Sequence, residues 1–455
     1  MVTKDAPRRF DRLALELSQG LLRAVPTATN VGQAISTMRR EAPLKLDSWW
    51  TKAQPLSDGP IDVIDMFSGC GGMSAGFRAL NAVLPAFRHI LALDIDSAAN
   101  ETYEQNLGLS PSCEDVHVLA EQPRRLERLL KESGRRPDAP LVLIGCAPCQ
   151  GFSSHRNNAG ATDARNGLFL DFAKIATRLR PDFVIVENVP ELLTDHYWPV
   201  VAEARNVLEE AGYDVHLTVH NMAEFGVPQE RFRALMLASR VPFTPLEGTV
   251  ARDKFRTVRD AISHLQPIAA GEADSADPMH VTATHRESTL ATIRAVPKNG
   301  GNRPFDVGPA SLRTLYARQG KPAYEDVYGR LSWDKPAITI TAYSRNPASG
   351  RFVHPTQDRG LSIREAASLQ SFPASFQFSG SFDERFKQIG NAVPPLFATH
   401  LAISIVAQLA EPPKVRCGMG VQEPLGKSFS RLIPSLKAGS LRLVNATTEA
   451  NQRSA

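Results

Sequence analysis

Four short apolar runs, each closed by polar or glycine-rich residues, limit what this chain can fold into. They are IDVIDMF at 61–67, HILALDID at 89–96, LVLIGC at 141–146 and DFVIVENV at 182–189. Continuous apolar runs of this length, without strict alternation, read as strands buried on both faces. Helix-like stretches separate them, such as MSAGFRALNAVL at 73–84 and SAANETYEQNL at 97–107. Strands alternating with helices predict an α/β fold, a parallel sheet with helices on both faces.

The rest of the chain departs from that rhythm. Residues 1–58 are rich in Arg and Lys, carry Trp49 and Trp50, and read as a basic, floppy extension with a helix near 10–24. The α/β pattern occupies 59–240. From 241 to 329 the sequence is rich in Pro, Gly, Thr and Arg and reads as a separate domain. WDKPAITITAYS at 333–344 then reads as a strand, SIREAASLQSF at 362–372 as a helix, and 396–409 as another, so 330–410 returns to the α/β domain. Residues 411–455 read as a loosely attached tail.

Composition narrows the setting. No apolar stretch approaches the length that spans a bilayer, and the N-terminus has no apolar signal region, so a cytoplasmic protein without a membrane partner is expected. Five cysteines, an odd number, fit a reducing compartment rather than a disulfide framework. The formal charge of +4 permits a polyanionic partner without requiring one.

Two motifs carry chemistry. The first is DMFSGCGG at 65–72, directly after a strand. Its glycines allow a tight turn or the close approach of a ligand, yet the Lys-Ser/Thr of a phosphate loop is missing. Asp94 and Asp96 close the next strand, where an acid can hold ribose hydroxyls, which points to a nucleoside-bearing cofactor; a turn serving packing alone is the alternative. The second is CAPCQGFS at 146–153. Cys149 lies just past one strand and Glu187 ends another, so a thiol and a carboxyl share the sheet edge where α/β ligands bind. Cys149 reads as a nucleophile, as a buried spectator, or with Cys146 as a C-x-x-C redox pair or half a zinc site. No second Cys/His pair accompanies it, so no metal is expected.

The motifs DMFSGCGG, LDIDSAAN, APCQGFS, ENVP, QERFR and IGNAVPP follow one another in the order found in DNA (cytosine-5)-methyltransferases, and the chain resembles that family from about 61 to 409. The resemblance implies a Rossmann-like class I methyltransferase, with a mixed, mostly parallel sheet and helices on both faces, that uses S-adenosyl-L-methionine. It implies that Phe67, Ser68, Gly69, Cys70 and Gly72 wrap the cofactor, and that Asp94 takes its ribose. Asp115 and Val116 would meet the adenine, with Pro148, Asn391 and Ala392 completing the wall. It assigns Cys149 as nucleophile, Glu187 and Asn188 to proton handling, and Gln229, Arg231 and Arg233 to a Gln-x-Arg-x-Arg motif in which Arg233 reaches the cytosine carbonyl. The stretch 241–329 becomes a target-recognition domain.

The implied reaction adds a thiolate to C6 of a cytosine lifted out of the helix, which makes C5 nucleophilic toward the sulfonium methyl group. Glu187 would have to act as an acid at N3. Double-stranded DNA is then the expected partner, bound by a monomer, and a cognate restriction endonuclease is a possible genetic partner. A non-catalytic relative and an RNA methyltransferase remain the competing classes. Basic residues from Arg286 through Arg294, Lys298, Arg303, Arg313, Arg318, Lys321, Arg330, Lys335 and Arg345 to Arg351 offer a phosphate-contacting face. Candidate base readers are Tyr343, Ser344, Arg345, Asn346, Asn299 and Asn302. Cys146 stands where the family carries a small residue; it reads either as a simple replacement or as the partner in an oxidative switch.

Overall fold

Strand β1 (Ile61–Met66) lies one strand in from the edge of a six-stranded sheet, and every one of its residues is buried. It pairs in parallel with β2 (Phe87–Leu93) on one side and β3 (Leu141–Gly145) on the other. Next come β4 (Phe183–Asn188), parallel to β3, and then β5 (Asp214–Asn221) and β6 (Phe232–Ser239). The sheet order is β2-β1-β3-β4-β6-β5, with β6 antiparallel to both of its neighbours. The α/β reading, mixed and mostly parallel, is the architecture observed. The chain leaves β1 toward β2 and returns on the opposite side as β3, which creates a crevice at the carboxyl ends of β1 and β3.

The computed structural model describes residues 6–147, 167–244, 246–319, 324–413, 420–439 and 441–443. They form two compact units. The first comprises Met1–Asn221, Phe232–Thr249 and Phe397–Ala455, and contains the sheet. The second comprises Met222–Arg231 and Val250–Leu396, so it starts before 241 and runs well past 329.

In the first unit, the N-terminal extension is not a floppy arm. Helices α1 (Ala6–Ala24) and α2 (Val31–Lys52) form a hairpin. Leu13, Leu17 and Leu21, spaced four apart on α1, are buried, as are Met38, Trp49 and Trp50 on α2. Arg39 on α2 donates to Ser404 Oγ at 2.7 Å, and Asn30 caps the start of α2 through Gln33 N. Helices α3 (Gly72–Asn81) and α4 (Ser97–Leu107) follow β1 and β2. Next come α5 (Val116–Glu121), α6 (Pro123–Glu132) and α7 (Gly167–Leu179). Phe169 and Phe172 of α7 join the main core with Leu141, Leu143 and Val184.

The described residues of the C-terminal tail are packed onto the first unit rather than loosely attached. Val421 N donates to Leu217 O at 2.6 Å, Val219 N to Leu443 O at 3.3 Å, and Leu425 N to Leu193 O at 2.8 Å. Phe429 and Leu443 are buried in the main core. The tail therefore covers β5, whose outer backbone groups would otherwise stand open at the sheet edge.

In the second unit, 333–344 does not form a strand; its only ladder contact is a bridge between Ala337 and Gln229. The helices at Ile363–Leu369 and Phe382–Asn391 both begin with capping boxes, built on Ser362 with Glu365 and on Ser381 with Glu384. The expected basic face is only partly a face. Arg330 is fully buried and donates to the carbonyls of Val296, His354, Gln357 and Ile293. Arg303 is buried and donates to Pro304 O and Val307 O. Arg286, Arg294, Lys298, Arg313, Arg318 and Lys335 are exposed, and Lys321 lies outside the described residues.

Candidate active site

The turn after β1 is built by backbone geometry that few side chains tolerate. Phe67, Gly69 and Gly71 all have positive φ, at 57°, 51° and 86°. Gly71 is doubly constrained, because a Cβ there would lie 2.4 Å from Leu107 Cδ1 and 2.8 Å from Tyr103 Cδ2. Ser68 N and Oγ both donate to Leu93 O, at 3.0 and 3.3 Å, and lock the turn to β2. Cys70 is buried, and its thiol is pushed up to about 12 by that burial. Gly72 opens α3.

Asp94, at the end of β2, faces the same turn. Its Oδ2 accepts from Gly69 N at 2.8 Å and its Oδ1 from Asp96 N at 2.9 Å. Burial raises its carboxyl pKa, against the pull of those amides. Asp115 is exposed, caps α5 by accepting from His117 N at 2.8 Å, and leads into the buried Val116. Asp65, to which the sequence reading gave no role, is buried on β1. Ser74 Oγ donates to its Oδ2 at 2.6 Å, and Tyr103 OH donates to Ser74 Oγ at 3.0 Å. Its signal was present: an acid near the end of an apolar central strand, just before a glycine turn. Two acids, Asp94 and Asp65, flanking a glycine turn at the carboxyl edge of the sheet, with open space beside Gly69, fit a cationic nucleoside cofactor.

The second cluster lies on the other side of the crevice. Glu187 and Asn188 end β4, and both are buried. Arg233, near the start of β6, reaches across the antiparallel pair and places Nε 3.0 Å from Glu187 Oε1. Asn188 Nδ2 donates to Ala147 O at 3.2 Å, and its Oδ1 accepts from Val189 N at 2.8 Å. Cys146 N donates to Met66 O at 3.4 Å. The Cys146 thiol is pushed well above the ordinary thiol range by burial and by the carboxylates of Glu187 and Asp65. Pro148 and Cys149 lie outside the described residues.

Gln229 and Arg231 belong to the second unit and are buried there. Gln229 Nε2 donates to Leu369 O at 2.8 Å, and its Oε1 accepts from Ile340 N at 3.0 Å. Arg231 donates to Ile340 O, Gly390 O and Ala392 O at 2.8 to 3.3 Å. Both side chains therefore brace the backbone of their own unit. Asn391 ends its helix and is exposed, while Ala392 is the C-cap, with its carbonyl held by Arg231. The structure thus brings Glu187, Asn188 and Arg233 together in one unit and groups Gln229, Arg231 and Ala392 in the other.

The chain is similar to known proteins over most of its length. The profile of C-5 cytosine-specific DNA methylase matches residues 61–407. Type II methylase M.HgiDII of Herpetosiphon aurantiacus is 33% identical over 356 residues, covering 75% of this chain and 94% of that protein. Type II methyltransferase M1.HphI of Haemophilus parahaemolyticus is 34% identical over 350 residues, covering 76% and 87%. Among solved structures, a prophage-encoded E. coli protein described as a DNA modification methyltransferase matches with a TM-score of 0.55 and 25% identity, over 77% of this chain and all of that one. Family members transfer a methyl group from S-adenosylmethionine to C5 of cytosine in DNA. A match that runs from the first residue of β1 almost to the end of the helix Pro395–Ala410 makes this chain a member of the C-5 cytosine-specific DNA methylase family.

Proposed function

We propose that this DNA cytosine-5 methyltransferase is sequence-specific for double-stranded DNA and works through a covalent adduct between Cys149 and C6 of a flipped cytosine. The observation that carries this reading is the Glu187–Arg233 pair at 3.0 Å between β4 and β6, beside Asn188, which bonds Ala147, two residues before Cys149 in the sequence. O2 and N3 of cytosine are adjacent polar edges. A guanidinium and a carboxyl held side by side match them, one as donor to O2 and the other sharing a proton with N3.

On this reading the Cys149 thiolate forms a bond to C6, and the ring's electron pair moves onto C5. Arg233 and Glu187 offset the negative charge that builds at O2 and N3. The bound cofactor supplies an electrophilic methyl group that C5 takes up. A base then removes the C5 proton, and the C6–sulfur bond breaks to restore the thiolate. The target must leave the base stack first, because C6 is shielded within the duplex.

We assign target recognition to the second unit, where exposed Arg286, Arg294, Arg313 and Lys335 offer phosphate contacts. We also infer that the enzyme is cytoplasmic, acts as a monomer on DNA, and serves as the modification half of a restriction pair or as a solitary enzyme. The experiment is incubation with tritiated S-adenosylmethionine and duplex DNA, followed by a duplex carrying 5-fluorocytosine at the mapped site. Wild type should label DNA and cross-link through the peptide containing Cys149, and Cys149→Ser should do neither while still binding cofactor. Comparable methylation by Cys149→Ser would overturn the covalent step.

A further inference from the structure

His117 joins two elements that the reaction above leaves unused. It stands in the first turn of α5, where its backbone N–H donates to Asp115 Oδ1 at 2.8 Å. Its ring Nδ1 lies 2.7 Å from Oδ2 of Asp171, a buried carboxyl on α7. Further along the same pair of helices, Arg178 Nη1 of α7 donates to Ala120 O of α5. Six residues are too few for a helix to hold itself, so these two ties fix where α5 and α7 lie against each other. The residue after Asp171 shows what the ties serve. A Cβ on Gly145 would lie 2.3 Å from Phe172 Cε2 and Cζ, so the Phe172 ring occupies the space that a side chain there would take. Gly145 is the last residue of β3. The same ring lies 6.5 Å, centroid to centroid, from Phe67 in the glycine turn. One buried aromatic therefore rests against the turn after β1 and against the end of β3.

We propose that His117 and Asp171 are positioning residues: their contact holds α7 where Phe172 supports both Phe67 and Gly145, so that the cofactor turn and the end of β3 are set together. A carboxylate only accepts, so His117 Nδ1 carries the proton in this contact. With the ring protonated the contact is an ion pair, and with the ring neutral a weaker hydrogen bond remains. The charged groups around the ring are Asp171 and Lys174 on α7 and Asp115 and Glu121 at the two ends of α5. The hydrogen bond to Asp171, and then its charge, raise the His117 pKa above its ordinary value; desolvation opposes the rise, and Glu121 and Asp115 add to it. A raised value means that the contact is at full strength below about 6.5 and loosens as pH climbs through the raised pKa. The ring is more than half exposed, so the effect is modest and screened by salt. The inference rests on cofactor use and methyl transfer and not on the Cys149 adduct.

The test is titration of the full chain with S-adenosylmethionine, with single-turnover methylation of duplex DNA at saturating cofactor, from about pH 6 to about pH 9. Each variant is read as its ratio to wild type at the same pH, which cancels the titration of other groups near the cofactor. His117→Ala should bind cofactor about 2- to 5-fold more weakly at the acid end, the size expected of a half-exposed ion pair, and the gap should narrow toward the alkaline end. Its single-turnover rate should fall in parallel. His117→Lys keeps a cation across the whole range, so it should match wild type at the acid end and exceed it at the alkaline end. Phe172→Leu leaves the ion pair in place but trims the ring that it seats, and should weaken binding while blunting the pH dependence. A His117→Ala ratio that stays constant with pH while thermal stability falls would make the contact structural only. A ratio of one throughout would remove the role, and weaker binding at an unchanged single-turnover rate would overturn the link to Gly145.

Discussion

Asn188 Nδ2 donates to the carbonyl of Ala147 across 3.2 Å, so the strand that carries Glu187 also holds Ala147, two residues before Cys149 in the sequence. Replacing that amide leaves the Ala147 carbonyl without this donor. Asn188→Ala should lower kcat by about tenfold or more with little change in the affinity for S-adenosylmethionine, because its side chain bonds Ala147 and Val189 and not the glycine turn. Single-turnover methylation and cofactor titration on the same preparation measure both quantities. A fall in cofactor affinity without a fall in rate would contradict this division of labour.

Cys146 should behave as a spectator. Only the thiolate reacts with alkylating agents or forms disulfides, and burial with the nearby Glu187 and Asp65 carboxylates holds this thiol protonated. Cys113 is exposed. Peptide mapping after brief iodoacetamide treatment at pH 8 should find Cys113 labelled at least about tenfold faster than Cys146 or Cys70. Loss of activity to peroxide should be the same in wild type and Cys146→Ala, and a more resistant variant would restore the oxidative switch.

What the sequence revealed, and what it hid, follows from where each signal resides. β1, β3 and β4 are covered on both faces, so their apolar runs stand out without any partner in view. The Glu187–Arg233 contact depends on β6 lying antiparallel to β4, a register that no local pattern encodes. The Thr-Ile-Thr of 339–341 has the residues of a strand. However, Ile340 gives its N–H to Gln229 and its carbonyl to Arg231, so distant side chains take the bonds that a ladder would use. Arg330 looked like a phosphate ligand because sequence shows charge and not the four carbonyls waiting for it. The α1–α2 hairpin was hidden by its own basic residues, although the stripe of Leu13, Leu17 and Leu21 was legible.

That hairpin leads to a third expectation. The Arg78 guanidinium on α3 lies 3.8 Å from the centroid of the Trp50 ring and donates to Ala53 O at 3.0 Å, just past the end of α2. The ring is buried and the cation is largely desolvated, conditions in which the pair counts for more than it does in water. Trp50→Ala should destabilise the protein by about 3–5 kcal/mol through the lost packing and the exposed cation. Trp50→Phe should recover most of it. Because α3 begins at the glycine turn, the alanine variant should also bind S-adenosylmethionine more weakly at 37 °C than at 20 °C, relative to wild type. Thermal unfolding with and without cofactor checks both statements.

The second unit carries its own acid sensitivity. Glu365 is fully buried and accepts from Arg359 through both oxygens, at 2.7 and 2.8 Å, and from Ser362 N at 2.8 Å. Burial alone would raise its pKa, but the Arg359 bonds and charge outweigh that and hold it below the ordinary carboxylate value. Asp277, against Arg364, is depressed in the same way: burial pushes its pKa up and the guanidinium pushes it further down. A carboxyl with a depressed folded-state pKa stabilises the fold at every pH above its unfolded value, about 4.3 for Glu. That contribution is lost as pH falls through the lower folded value. Stability should therefore be flat from neutral pH to about 5 as far as these two groups are concerned, and should drop steeply below 4. Glu365→Gln leaves Arg359 buried without its counter-charge and should cost about 3–5 kcal/mol at pH 7. It should also flatten the acid limb of the urea midpoint against pH, since one of the unit's titrating carboxyls is gone. A Glu365→Gln profile that falls with the wild-type slope below pH 4 would place the acid sensitivity elsewhere.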